Sequence, residues 1–280
     1  MSDKKREKKV CGIHLSGPGS KKTCLVVMKK NLRSSVAKVT KIYDHIGSQG
    51  MIFSDDRLIR ILELEAPMDE VFVDCPLTNP PCVSCTRPIC PGVNHCDDIS
   101  VAFLLSLAKK MKSTKKMRRP INPQNQRLVD IYRLVYEGVS DTTYSANLAP
   151  LVVRAQTLQR RINGTELPVS LKETSVKQAI IAIGQMIGME RTISKKFKNF
   201  ERGSAIRHQF ITQLQAHQIV HFSEASIADR LLNSADSFSA FITSLVAIIY
   251  LSEGCEEKPK FLTPENGWIY LPIDKKDETS

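Results

Sequence analysis

Residues 71–96 read VFVDCPLTNPPCVSCTRPICPGVNHC and decide the fold. A short apolar strand ends in Asp74, and a proline-rich stretch with four closely spaced cysteines follows it. An acidic residue at the carboxyl end of a buried strand is a usual position for a catalytic carboxylate in an α/β protein, because the strand fixes the backbone while the loop admits substrate. The stretch therefore predicts an α/β fold with a functional sheet edge and a metal-binding loop beside it.

The cysteines of this loop predict a structural zinc site. The four proposed ligands follow the spacing CxxC, x4-C and x5-C: Cys82, Cys85, Cys90 and Cys96. The tight CxxC turn lets two thiolates reach one tetrahedral ion, and His95 or Cys75 could substitute for one of the four. An iron–sulfur cluster and free or redox-active thiols are the alternatives. A zinc ion would fold residues 78–98, an otherwise unsupported insertion.

Composition favours a cytoplasmic protein. The chain has 280 residues, of which 42% are hydrophobic, so it can bury a large core without disulfides. Five of its eight cysteines lie between Cys75 and Cys96, whereas a disulfide framework would be spread through a small secreted chain. The start, MSDKKREKKV, has no apolar stretch for secretion. The longest apolar stretch, residues 238–251, is too short for a bilayer, so we expect a buried helix and no membrane span.

The charge of the chain predicts a polyanionic partner. The formal net charge is +11, and cations cluster in residues 4–9, 29–33, 109–119 and 195–202. The densest cluster, KKMKSTKKMRR, supplies the predicted nucleic-acid-binding residues Lys109, Lys110, Lys112, Lys115, Lys116, Arg118 and Arg119. Each cation placed on a phosphate releases counterions and adds affinity, so DNA or RNA is the expected partner. The alternative is a solvated surface with a disordered basic tail.

The order of predicted elements indicates a mixed sheet with helices packed on it. VCGIHLSGPG, KTCLVVMKK and KVTKIYDHI are typical of a three-stranded meander, SDDRLIRILELEA of a helix and EVFVDCPL of a further strand. Helical segments then dominate, with a short strand predicted at TELPV and a terminal strand or extended segment at GWIYLPI. We expect a basic tail over residues 1–9 and a single domain over residues 10–275, interrupted by the insertion at residues 78–98.

Three carboxylates from separate elements are candidate catalytic residues. Asp74 ends one strand, Glu166 lies in the TELPV run, and Asp236 lies in the last long helix. Brought together, they could hold one or two Mg²⁺ or Mn²⁺ ions, which orient a water and stabilise phosphodiester displacement. The alternative is that each carboxylate is an exposed residue or a charge at a helix end.

Five segments, spread over most of the chain, carry a resemblance to a known family: VCGIHLSGPG, VFVDCPLTNPPC, LVVRAQTLQRRINGTELP, NSADSFSAFITSLVAIIYL and GWIYLP. In this order they resemble the domain of unknown function 429 family, whose members are described as predicted nucleases with an RNase H-like fold. It implies an α/β RNase H-like mixed sheet, with Asp74, Glu166 and Asp236 as metal-holding acids.

Two departures from the family pattern affect the predicted chemistry. The family's first strand usually ends in an aspartate that bridges the metals, and here His14 takes that position. The family's last helix carries an Asp-Asp-x-x-Asp-Ala-like motif, and here residues 235–240 are ADSFSA, with Ser239 at the third acid. Imidazole binds manganese or zinc but is a poor ligand for magnesium, which prefers hard oxygens.

Three hypotheses about function therefore follow from the sequence. The first is an RNase H-like, divalent-metal-dependent nuclease with a partly degenerate acidic site, in which His14 is an altered ligand or a base. The second is a catalytically inactive module that binds nucleic acid or protein and carries a structural zinc loop. A protein of the same fold that acts on a small phosphorylated ligand is a third hypothesis.

Overall fold

The computed structural model describes residues 7–17, 19–113, 121–137, 145, 148–252 and 254–273. Within these residues, six strands form one sheet: β1 Glu7–His14, β2 Thr23–Asn31, β3 Ala37–Ile46, β4 Glu70–Val73, β5 Leu171–Glu173 and β6 Val220–Phe222. The helices are α1 Ser54–Glu65, α2 Pro81–Ser84, α3 Ile99–Ser113, α4 Leu128–Glu137, α5 Ala149–Asn163, α6 Val176–Met186, α7 Arg191–Ser194, α8 Gly203–Ala216, α9 Ala225–Asn233 and α10 Ala235–Ser252. Short 3-10 turns cover Val93–His95 and Pro264–Asn266.

The strands lie in the order β5-β4-β1-β2-β3-β6. The first three along the chain form an antiparallel meander, while β4 pairs parallel to β1, β5 parallel to β4 and β6 parallel to β3. All strands except β2 therefore end at one edge of the sheet, which we call the carboxyl edge. The predicted mixed α/β sheet flanked by helices is confirmed.

Apolar runs explain the centre of this sheet. In β1 and β2 almost every inner residue is buried, because both faces of the central strands are covered. Val10, Val26 and Val71 have no exposed surface. Such β-branched residues favour extended backbone and pack well on a pleated surface.

Helix α10 lies directly on β1 at Gly12. A Cβ atom on Gly12 would lie 2.1 Å from the amide nitrogen of Ser244 and 2.5 Å from the carbonyl oxygen of Ala240. These are main-chain atoms of α10 and have little room to move aside, so the close approach requires glycine. Because side chains alternate along a strand, His14 lies on the same face as Gly12 and is directed towards α10.

Helix α10 also has the length and apolar character of a membrane span. The 18-residue window has a mean hydropathy of 1.5, and 72% of it is buried inside the structure. Core helices of soluble proteins meet the same criteria. The predicted absence of a membrane span stays a prediction.

The chain divides into two compact units. One comprises Met1–Cys75, Thr157–Glu256 and Tyr270–Ser280, and it contains the whole sheet. The other comprises Pro76–Gln156 and Glu257–Ile269, and it contains the cysteine-rich segment. An insertion that folds compactly still belongs to the domain that it interrupts, so the single domain over residues 10–275 stays a prediction.

The structure differs from the sequence-based expectations in two places. Strand β1 begins at Glu7, so residues 7–9 of the predicted tail belong to the sheet, while residues 1–6 lie outside the described residues. The predicted strand at TELPV is wrong, because residues 165–169 form turn and loop and β5 follows at Leu171–Glu173. The β5 run is short and carries two charges, so it gave no apolar signal.

Candidate functional site

The carboxyl edge brings together His14 and Asp74. Strands β1 and β4 are parallel and pair Ile13 with Val73, so the residues that follow these two positions are neighbours. The amide of Asp74 continues the ladder and donates to the carbonyl oxygen of Ile13 at 3.0 Å. Helix α10 begins beside the ends of β1 and β4, with Asp236 in its first turn.

These three side chains form one hydrogen-bonded group, the Asp–His–Asp cluster of Asp74, His14 and Asp236. The Nδ1 atom of His14 lies 3.2 Å from Oδ2 of Asp74, and its Nε2 atom lies 3.4 Å from Oδ1 of Asp236. The second oxygen of Asp74 accepts a hydrogen bond from the amide of Val176, at the start of α6, at 2.9 Å. Three of the four predicted catalytic residues therefore lie together. The two carboxylates do not contact each other, because His14 lies between Asp74 and Asp236.

The charges in the cluster stabilise a protonated His14. Burial lowers the pKa of His14, but its hydrogen bonds to Asp236 and Asp74 outweigh burial, and the pKa is raised. Burial raises the pKa of Asp74, but its hydrogen bond and charge interaction with His14 reverse this and hold the pKa below its usual range. The hydrogen bond from His14 likewise lowers the pKa of Asp236. With both ring nitrogens facing carboxylates, the imidazolium form is the one that donates twice.

This arrangement does not fit a Mg²⁺ or Mn²⁺ ion as it stands. Both nitrogens of His14 face carboxylate oxygens, and an imidazole that donates from both nitrogens has no lone pair to give to a metal ion. Within the described ranges, no group of three or more His, Cys, Asp or Glu side chains is placed to hold a metal ion. A metal ion bound by His14 would have to displace one of its two contacts, and the predicted Mg²⁺ or Mn²⁺ stays a prediction.

Glu166 does not lie at the carboxyl end of a strand, where its predicted role would place it. It is exposed in the loop between α5 and β5, and its carboxylate is not among the main groups that act on His14, Asp74 or Asp236. The residue at the carboxyl end of β5 is instead Glu173, which is buried. Glu173 stands in a run of three residues with two charges, so no pattern in the sequence marked it, and the role predicted for Glu166 stays a prediction.

Two lysines that the sequence analysis did not single out place positive charge beside the cluster. The charge of Lys198 acts on all three members, and that of Lys22 acts on Asp236. Lys22 precedes β2, whose first residues pair with the end of β1. Lys198 belongs to KKFKNFER at residues 195–202, one of the cation clusters from which a polyanionic partner was predicted.

Residues 195–202, which we call the cationic loop, connect α7 to α8 beside the carboxyl edge. Phe197 is buried and packs on Phe238 of α10, with 5.6 Å between the ring centroids. Phe200, three residues later, is fully exposed at 103%. Lys195, Lys196, Lys198 and Arg202 are exposed on the same loop.

The four cysteines of the predicted zinc site lie in one segment of the second unit. Cys82 is in α2 and Cys96 follows the 3-10 turn, while Cys85 and Cys90 are exposed. Burial raises the pKa of Cys82, and the negative charges that the other three cysteines carry as thiolates raise it further, so all three lie within electrostatic range of Cys82. The zinc ion stays a prediction, because no described group has the arrangement of a formed metal site.

The predicted nucleic-acid-binding cluster is only partly visible. Lys109 is exposed on α3, and Lys110 and Lys112 belong to the same helix. The remaining four cations, Lys115, Lys116, Arg118 and Arg119, lie outside the described residues.

Comparison of the chain with family models, with curated proteins and with solved structures found no match. The resemblance to the domain of unknown function 429 family therefore stays an expectation from the quoted segments.

Proposed function

We propose that the protein has an RNase H-like fold and binds nucleic acid at the carboxyl edge of its sheet without metal-dependent cleavage. The fold proposal is supported by the three-stranded meander, which continues into the parallel strands β4 and β5. It is also supported by the positions of Asp74 and Asp236, which follow β4 and open α10 as the resemblance implies.

The observation that carries the functional proposal is the position of His14 between the two carboxylates. An RNase H-like nuclease, as the resemblance implies it, needs an aspartate there to bridge two metal ions. Three aspartates would carry a formal charge of about −3, whereas two aspartates and a histidine carry about −2 with a neutral imidazole and about −1 with an imidazolium. Such a site repels a phosphate group less than three carboxylates would, so it depends less on a metal ion to neutralise it.

Positive charge around the cluster supports a polyanionic ligand. Lys198 and Lys22 act on the cluster, and the whole chain carries a formal charge of +11. Cations at the rim of a site attract phosphates at long range and release counterions on contact. DNA and RNA both have this chemistry, so the choice between them is left to the binding experiment.

Fluorescence anisotropy with labelled RNA and DNA at low and physiological salt tests the binding. We expect affinity that falls steeply with salt and a further loss in Lys198→Gln. Lys38→Gln is the matched control, because Lys38 is exposed at the amino end of β3, away from the carboxyl edge. No binding, or binding that does not respond to salt, would overturn the proposal.

Incubation of the same substrates with Mg²⁺ or Mn²⁺ tests the absence of cleavage. We expect intact RNA and DNA with the wild-type protein. Cleavage that is lost in Asp74→Asn would refute this part of the proposal and favour the metal-dependent nuclease instead. The Asp74→Asn variant must first show a cooperative unfolding transition, since Asp74 bonds both His14 and the start of α6.

The cysteine-rich segment is proposed to bind zinc and to act structurally. Cys85, Cys90 and Cys96 lie close enough to Cys82 to affect its pKa, in a segment with little regular structure, and a bound zinc ion would stabilise all four as thiolates. A cytoplasmic location is part of the same proposal, because reduced thiols bind zinc where disulfides do not persist.

A further inference from the structure

The cationic loop presents an aromatic ring that the interior does not use. Phe200 is fully exposed, although phenylalanine is among the residues most often buried. The other aromatic residue of the loop, Phe197, anchors it against Phe238. One ring therefore holds the loop on the fold, and the second ring points into solvent.

Hydrogen bonds hold the loop around Phe200 in a defined shape. The side chain of Asn199 accepts from the amides of Glu201 and Arg202 at 3.0 and 2.9 Å, which closes a turn around the exposed ring. The guanidinium of Arg207 donates to the carbonyl oxygen of Phe197 at 2.6 Å. A platform whose backbone is already fixed loses little conformational entropy when a ligand stacks on it.

The charges of the loop match a nucleic-acid strand. Four exposed cations and one acid, Glu201, surround Phe200 within residues 195–202. Phe197 packs on Phe238, two residues after Asp236 in α10, so the loop borders the carboxyl edge. Cations that follow a phosphate backbone, together with an aromatic ring for the bases, are the two elements with which proteins bind single strands.

We propose that Phe200 stacks on a base of single-stranded nucleic acid while the lysines of the cationic loop hold the adjacent phosphates. The inference rests on the proposed function and adds the strandedness of the ligand. In a duplex the bases already stack on each other, so the ring of Phe200 has no free base face to cover. The strand then continues from the loop across the carboxyl edge.

Binding of a single strand and of the corresponding duplex to Phe200→Ala tests the inference. We expect wild type to prefer the single strand and Phe200→Ala to lose about tenfold in affinity for it, with little change for the duplex. Leu64→Ala is the matched control, because Leu64 is also exposed but adjoins Glu65, which binds Lys9 near the amino end of β1. Leu64→Ala should bind both ligands as wild type does.

A Phe200→Trp variant gives a second readout. It should retain single-strand affinity, and its fluorescence should be quenched on binding, against a background of the single natural tryptophan, Trp268, which is buried. Equal affinity of wild type and Phe200→Ala for the single strand would overturn the inference, as would an equal loss for both ligands. If wild type binds no nucleic acid, the proposed function itself fails.

The exposed ring could alternatively contact a second copy of this chain. Sedimentation velocity of wild type and Phe200→Ala without nucleic acid separates the two cases. We expect the same oligomeric state for both proteins. A wild-type dimer that dissociates in Phe200→Ala would overturn the base-stacking role.

Discussion

Replacement of His14 by alanine tests whether the Asp–His–Asp cluster is an ion triad. The substitution removes contacts of 3.2 and 3.4 Å to Asp74 and Asp236 and leaves the two carboxylates without their shared cation. Hydrogen bonds to charged groups contribute about 1.5–3 kcal/mol each, and these distances are longer than the roughly 2.7–2.9 Å of the strongest ones. At the lower end of the range, His14→Ala should reduce the free energy of unfolding by about 3 kcal/mol at pH 6.

The stabilisation that the cluster gives to the folded protein depends on pH. The pKa of His14 is raised in the folded protein, so its stabilisation is complete below the unfolded value of about 6.5 and is lost as pH rises through the folded value. The pKa values of Asp74 and Asp236 are lowered, so their contribution is present above about 3.9 and is lost as pH falls through the folded values. The cluster therefore stabilises most between about pH 4 and 6.5.

Urea unfolding of wild type and His14→Ala at pH 6 and pH 9 measures the effect. We expect the stability difference to narrow to about half at pH 9, because a neutral imidazole still donates one hydrogen bond. His221→Ala, at an exposed histidine on β6, should cost less than about 0.5 kcal/mol at both pH values. A difference for His14→Ala that is equal at both pH values, or larger at pH 9, would refute the ion triad.

Three further predictions concern the metal chemistry and the opposite end of the sheet. His14→Asp should create a three-carboxylate site that binds Mn²⁺ by calorimetry where wild type does not, and unchanged heats would contradict the view that His14 replaces a metal ion. The purified protein should contain about one zinc ion per chain by elemental analysis, and Cys82→Ser should lose it; a metal-free wild type that folds cooperatively would count against the site. Glu65→Gln should cost about 3 kcal/mol at neutral pH, because Lys41, Lys9 and Tyr43 outweigh the effect of burial and lower the pKa of Glu65 to about 2. That stabilisation is present above about pH 4.3 and disappears as pH falls towards 2, so thermal unfolding at pH 2 and 7 should show a difference only at pH 7.

The sequence predicts the meander, α1 and β4 well because their patterns are long or strongly apolar. Strand β2 has nine residues, and its inner positions are buried. The short strands were harder to predict, since three residues show no periodicity. Strand β5 contains Lys172 and Glu173, and β6 contains an exposed His221, so their membership of the sheet is set by their neighbours.

The sequence could predict which residues lie in the candidate site, but not which atoms of these residues contact each other. The position of Asp74 after a buried strand and of Asp236 in an apolar helix indicated convergence, and both lie at the carboxyl edge. The roles of the ring nitrogens depend on distances that no sequence pattern contains. The exposure of Phe200 beside a buried Phe197 likewise depends on the turn made by Asn199.

The close approach of Gly12 and α10 has a consequence for how this site can change over time. The start of α10 is located by main-chain atoms of Ala240 and Ser244 against β1, so the distance between positions 14 and 236 does not depend on which side chains occupy them. An exchange of aspartate for histidine at position 14 then alters the chemistry without moving the frame. Position 14 can therefore change between aspartate and histidine while the fold stays the same, whereas the metal site that the resemblance implies also needs the acids that residues 235–240 lack.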